Sequence, residues 1–320
     1  MTNAPSESRE PRRHALARTL VSMALACGVP KGAAAQARPT TMTLVLPGGS
    51  APLSWAAGGY AYVTLATLQT APTAGARTIV RRPVGVAYEP ITLRGEATAL
   101  LPLVAPALTT PATLQGDLLR LDADGKVDSD TQFEQALVSR VAVILDYVGK
   151  SHCLAEITIV PTQTHPNAAP SPGAPSAEGA KCAILHASLD GTPLNVVPRN
   201  DSIVMTQQLV EVRQAGPDGR PIVRKLPGRW EAADVTLRMR LQVASEMTRW
   251  FDEASKGRAD SRMLEIQLMT QDGTPLLALR TQAGILAVRP VPFDAASPAP
   301  ASVDVVLYVD PWTIDGKPKP

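Results

Sequence analysis

Beyond residue 40 the chain mixes short runs of alternating apolar and polar residues with two stretches of helical spacing. Ile91-Thr92-Leu93-Arg94 and Val235-Thr236-Leu237-Arg238 are runs of the first kind, the pattern of a strand with one face buried. Each leads into a helical pattern, roughly 97–108 and 244–256. In the second, Met247, Trp250, Phe251 and Ala254 fall at i, i+3, i+4 and i+7. That spacing predicts an apolar stripe covering a sheet, with Trp250 in the core.

The strand-and-helix unit occurs twice. Arg77-Thr-Ile-Val-Arg-Arg-Pro-Val-Gly85 returns as Arg220-Pro-Ile-Val-Arg-Lys-Leu-Pro-Gly228 at an offset of 143, and the Ile91 run returns as the Val235 run at 144. After each helix, residues 139–145 match 261–268, a turn follows at Gly149-Lys150 or Asp272-Gly273, and second strands span 154–160 and 276–280. Pro/Ala/Ser-rich loops come next (166–179 and 292–300), then closing strands at 182–187 and 303–309. A turn between β-rich runs reads as a hairpin. This pattern places a basic N-terminal segment at 1–40, a first domain at 41–190 and a second at 191–320. The first holds an insertion at about 109–138, with a short helix at 131–138 capped by Asp130. The expected class is mainly β with some α: two tandem β-barrel or sandwich domains, each with one packed helix.

Composition adds limits. Apolar residues make up 45% and charged residues 19%, which excludes disorder throughout, and aromatics are only 4%, so the core rests on Leu, Val, Ile and Ala. Residues 1–40 carry six Lys/Arg against two Glu; the total charge is +2, so the remainder is −2. So neutral a body does not suit duplex DNA, and no sequence-specific nucleic acid is expected. No apolar run is long enough to span a membrane. Arg12-Arg13, the apolar stretch 15–29 and Ala33-Ala34-Ala35-Gln36-Ala37 read as a basic arm or, alternatively, as a cleaved export signal. Cys27, Cys153 and Cys182 show no CxxC spacing. Buried free thiols are expected, with a Cys153–Cys182 bond in an oxidising compartment as the alternative.

No constellation for catalysis, cofactor or metal emerges. His14, His152, His165 and His186 are scattered. Asp122, Asp124, Asp128, Asp130 and Glu134 resemble a calcium loop, but Val127 stands where the turn glycine belongs and Phe133 where the bidentate Glu belongs. The stretch reads as a solvated acidic loop. Residues 48–59 are Gly-rich without a phosphate-loop pattern, and neither Ser50 nor Ser54 sits in a nucleophile elbow, so a surface turn is expected.

In the second copy, Val210-Glu-Val-Arg213, Gly216-Pro-Asp-Gly219, Ile222-Val-Arg-Lys-Leu-Pro-Gly228, Asp234-Val-Thr-Leu237 and helical Trp250 follow in order. The segment Asp201 to Asp310 resembles the contractile phage tail tube protein family, which includes the tubes of phage-like injection systems. Domain one departs from it, with Arg82-Pro83-Val84-Gly85 in place of Lys-Leu-Pro-Gly and no helical Trp. The resemblance implies a structural subunit and not an enzyme, one that forms inner tube rings or the tube-initiating or hub layer. Its partners are then itself in closed rings, as a pseudo-sixfold trimer or a hexamer, and neighbouring tube, sheath or baseplate proteins. The particle is a virion tail or phage-like assembly built in the bacterial cytoplasm. The expected interface residues are Glu211, Arg213, Asp218, Arg220, Arg224, Lys225 and Asp234, as inter-subunit ion pairs or, alternatively, as a solvated strand face. The rival reading of the whole chain is an exported two-domain β-rich binding protein.

Overall fold

The computed structural model describes residues 41–69, 79–110, 112–146, 152–166, 182, 184–194, 196–197, 202–215, 221–240, 244–258, 260–291 and 302–316. The expected arm or signal, Asp218, Arg220 and most of both Pro/Ala/Ser loops lie outside these residues.

The first set of elements runs β1 (Thr41–Leu46), β2 (Gly49–Ala57), β3 (Ala61–Gln69), β4 (Ile79–Tyr88), β5 (Ile91–Glu96), α1 (Ala97–Thr109), β6 (Leu114–Leu121), β7 (Val127–Asp146), β8 (His152–Val160) and β9 (Gln163–Pro166). The second runs β10 (Ile184–Leu189), β11 (Thr192–Leu194), β12 (Val196–Val197), β13 (Ser202–Ala215), β14 (Pro221–Ala232), β15 (Val235–Arg240), α2 (Ala244–Ser255), β16 (Arg262–Met269), β17 (Pro275–Pro290), β18 (Ser302–Val309) and β19 (Thr313–Gly316). All ladders are antiparallel.

In the first set, β6, β1, β2, β5, β8 and β7 pair in sequence, and β7 returns to β6, so the sheet closes into a six-stranded barrel. In the second, the path β11-β10-β16-β17-β18-β15-β12 follows the same circuit and is interrupted between β11 and β12, which adjoin in the chain. Every ladder of the first circuit has its counterpart in the second: β1–β6 and β10–β16, β2–β5 and β12–β15, β5–β8 and β15–β18, β7–β9 and β17–β19. The strand alternation read from the sequence is the cause. β5 and β15 bury every second residue, Ile91 and Leu93 in one, Val235, Leu237 and Met239 in the other. Both helices form where their spacing predicts. α1 buries Leu100, Leu101, Val104 and Ala107 and keeps Pro102 and Pro106 on its outer side, and α2 buries Met247 and Trp250.

Three local expectations are corrected. Residues 109–138 are not an insertion, because β6 and the first half of β7 occupy them as counterparts of β16 and β17. Residues 131–138 are strand, and Asp130 is no N-cap but a buried residue of β7 opposite Leu119. Gln135, at φ 47, interrupts the ladder there. That irregularity shifts the phase, so Phe133, Ala136 and Leu137 are buried at helix-like spacing within a strand. The strand expected to close the first copy belongs to the second circuit instead: β10 pairs with β16, six residues deep from Ile184↔Met269 to Leu189↔Leu264.

The thiols are joined as well. Cys153 in β8 and Cys182, just ahead of β10, form a disulfide with a Cα–Cα separation of 5.5 Å, in place of the expected free thiols.

Candidate assembly interface

Two long hairpins leave the barrels. β3–β4 forms a two-stranded sheet with no further ladder among the described residues. β13–β14 is anchored: Ser202 to Thr206 pairs antiparallel with Ile144 to Arg140 of β7, so a strand of the second set extends the sheet of the first. Such edge addition gives affinity through main-chain hydrogen bonds and specificity through alternate side chains. Here Ile203 and Met205 are those side chains, both 3% exposed. The Trp312 backbone N–H donates to the Met205 sulfur at 3.2 Å, and Trp312 is itself buried, so the C-terminal segment clamps the hairpin root. β19 then packs on α1.

The hairpin explains the Lys225-Leu226-Pro227-Gly228 motif. Leu209 lies opposite Pro227 and Gln207 opposite Trp230, with a bulge between them. A Cβ on Gly228 would lie 2.6 Å from the Gln208 carbonyl oxygen, so the bulged backbone admits only glycine. The Gln207 amide donates to the Gly228 carbonyl at 3.2 Å, and the Gln208 amide to the Glu231 carboxylate at 2.7 Å.

Of the expected interface residues, Glu211 and Lys225 face each other across this one hairpin, Arg224 lies opposite Val212, and Arg213 opposite Val223. Arg224 and Glu211 are exposed, and Asp234 is exposed in the turn between β14 and β15. Asp218 and Arg220 fall outside the described residues. Val210 and Leu226, exposed and paired on the hairpin, were not picked out from sequence, because an alternating strand does not reveal which face meets solvent.

The helical Trp and the Arg that leads the following hairpin also have a joint role. The Arg262 guanidinium lies 4.8 Å from the centroid of the Trp250 ring and reaches the Glu246 carboxylate at 3.3 Å, while the indole N–H donates to the Asp260 carbonyl at 3.3 Å. On the same sheet Arg238 makes a bidentate pair with Asp304, at 2.8 and 3.0 Å. Its counterpart in the first barrel is Arg94, opposite Glu156, which instead pairs with Arg140.

Two carboxylates are perturbed. A hydrogen bond from Arg280 holds Glu265 below the usual range, against partial burial. Burial, then the charge of Asp130, raises Asp117. Asp117 lines a cavity of about 310 Å³ with Val45, Leu46, Gln132 and Glu134. The acidic turn is an Asx-type turn: the Asp122 carboxylate accepts from the Asp124 and Lys126 N–H groups at 2.9 and 2.8 Å. Among the described residues no group of three or more His, Cys, Asp or Glu is placed to hold a metal ion, and no helix is long and apolar enough to cross a membrane.

The site is therefore one of strand addition, β13 extending the sheet of the first barrel. Residues 187–312 match the family described as T4-like virus tail tube protein gp19. The match begins inside β10, ahead of the segment in which the sequence carries its resemblance, and takes in the strands of the second circuit together with the β13–β14 hairpin that joins the first sheet. No curated protein matches the chain by sequence. Among solved structures, the sheath–tube complex of the PVC extracellular contractile injection system in its extended state is similar at 18% identity, covering 42% of this chain and 88% of that one, with a TM-score of 0.33. The tube-terminating cap of the anti-feeding prophage is similar at 18% identity over the same shares, with a TM-score of 0.34. Hcp1 from Flavobacterium johnsoniae is similar at 12% identity, over 42% of this chain and 95% of that one, with a TM-score of 0.28.

Proposed function

We propose that the chain is a non-enzymatic subunit of a phage-like tail or contractile injection apparatus, forming tube rings or the tube-initiating, capping or hub layer. The observation that carries this reading is the pairing of β13 with β7, a barrel-to-barrel strand contact contained within one chain. The family match over residues 187–312 supports it for the second circuit, and the shared order of pairing extends it to the first. The first tube-like unit runs to β9 and the second starts with β10. In the ring, Glu211, Arg213, Asp218, Arg220, Arg224, Lys225 and Asp234 set register along the hairpin rather than adding much affinity. Neighbouring tube, sheath or baseplate proteins are its partners, and assembly occurs in the bacterial cytoplasm. Three chains supply six units, a trimer with pseudo-sixfold symmetry.

Negative-stain electron microscopy of the purified full chain tests this. Annular particles with a central hole of a few nanometres are expected; a monomer at high concentration overturns the reading. The second reading, an exported two-domain binding protein, is favoured by one observation, the Cys153–Cys182 disulfide, since such bonds persist in oxidising compartments. An intact mass short by the first 37 or so residues in the native protein would select it.

A further inference from the structure

β7 and β17 share a bulge at one place in the fold. In β7 the ladder to β8 passes from Val138↔Ile159 to Arg140↔Thr158, skipping Ser139. In β17 the ladder to β18 passes from Ile285↔Leu307 to Ala287↔Val306, skipping Leu286. Aligning the two bulges sets Arg140 to Ile144 on Ala287 to Val291. The first stretch is where β13 lies. The second pairs only with β18 and its flank among the described residues, so its other edge is open.

The direction of that edge follows from one hydrogen bond. The Val291 N–H donates to the Ser302 carbonyl, so Ala287 and Arg289 also turn their amides toward β18. Antiparallel strands alternate, and Val288 therefore points its N–H and C=O outward. Pro290 shares that orientation and has no N–H to leave unpaired.

The matching donor is the root of the first hairpin. The Ala233 N–H donates to the Val204 carbonyl beside β13, and the Glu89 N–H to the Tyr60 carbonyl beside β3, both at 2.9 Å. Met205 lies opposite Ala232, and Ala61 opposite Tyr88. Both relations equate Val204 with Tyr60 and Met205 with Ala61. Met205 lies opposite Val141 of β7, whose counterpart is Val288. Around this root, Tyr60 is 73% exposed and Tyr62 48%, and Leu286 at the acceptor bulge is 45% exposed. An isolated two-stranded hairpin is marginal in water, so a partner sheet is the missing support.

We infer that chains join head to tail, the β3 root of one copy adding to the outer edge of β17 in the next with Ala61 opposite Val288. This deepens the ring reading and rests on it. The contact is heterologous and repeats between chains the step between units; a step of one sixth of a turn closes three chains into a ring, and a step that does not close gives an open helix.

The register puts Tyr62 opposite Ala287 as a narrow pair, with Cα atoms about 4.5 Å apart, within reach of a disulfide. The full chain carrying Tyr62→Cys and Ala287→Cys is expected to give, on oxidation, a non-reducing ladder that ends at three chains of 33.8 kDa. Each single variant should lack the ladder. Val288→Pro, which removes the outward N–H, should shift light-scattering mass to the monomer while leaving the far-ultraviolet circular dichroism unchanged. Rings that persist with Val288→Pro, and no cross-link in the double variant, overturn this docking edge and leave the ring reading standing. A wild-type chain that is monomeric at every concentration overturns both.

Discussion

Truncating Trp250 to alanine tests the claim that α2 is held on its barrel by one ring. Trp250 is 3% exposed, and a buried Trp side chain removes about 150–250 Å² from water. At ~25 cal/mol per Å² that burial contributes about 4–6 kcal/mol, overlapping the usual cost of about 3–5 kcal/mol for Trp→Ala in a core. Arg262 adds a further ~0.5–1 kcal/mol through the ring face, discounted because its side chain is 28% exposed. The expected loss is therefore about 4–6 kcal/mol, a large part of the stability of an ordinary domain. Urea unfolding followed by far-ultraviolet circular dichroism measures it, since three other Trp residues confuse fluorescence. Arg262→Ala alone should cost about 1 kcal/mol, and in the Trp250→Ala background almost nothing. A loss below about 2 kcal/mol for Trp250→Ala, or fully additive effects, would refute a packed and capped Trp250.

Trp312→Ala should cost about 3–5 kcal/mol and increase hydrogen exchange at the amides of Ser202 to Thr206, because Trp312 is buried and its backbone N–H meets the Met205 sulfur. Gly228→Val should unsettle the β13–β14 bulge and lower Tm, read by calorimetry, whereas valine at exposed Gly125, where nothing lies within 4 Å, should cost less, only the strain of its φ of 76°. Reducing the disulfide, which closes a loop of 29 residues, should lower stability by about 3–4 kcal/mol in denaturant with and without reductant. Glu265 is held low by Arg280, so its contribution is present at neutral pH and is lost as pH falls from 4.5 through its lowered value; Glu265→Gln should flatten the fall of Tm across that window. Asp117 is raised, which has the opposite sign: Asp117→Asn should raise Tm at pH 7, and the gain should shrink as pH falls and the native carboxyl takes up its proton.

The duplication was legible where the alternation is regular. β5, β15, α1 and α2 fall where period-2 and period-3.6 patterns put them, and Trp250 is buried as its stripe requires. It was misread where a bulge shifts the phase. Gln135 turns a strand into an apparent helix, and the equivalence of 139–145 with 261–268 follows from matching a Ser-Arg pair rather than a fold position. The hairpin root was invisible for a different reason. β13 alternates like any strand, and nothing local states that its first residues pair with β7, some sixty residues earlier in the chain. The disulfide was read only as the alternative to free thiols, since spacing does not report that the start of β8 lies beside the residue just ahead of β10. The charges of the β13–β14 hairpin were picked out through the family resemblance, but their partners are set by cross-strand register.

The paired bulges at Ser139 and Leu286 resolve a conflict between self-containment and sociability. Sealing a sheet on itself ordinarily leaves no rim for a stranger to grip. By bending each stave partway along, the fold spends its lower stretch on sealing and frees its upper stretch as a short landing strip. A strip this brief, stopped at one end by Pro290, gives an arriving strand a single frame in which to settle. The molecule thereby permits ordered accretion without inviting the indiscriminate stacking that a long bare rim would bring.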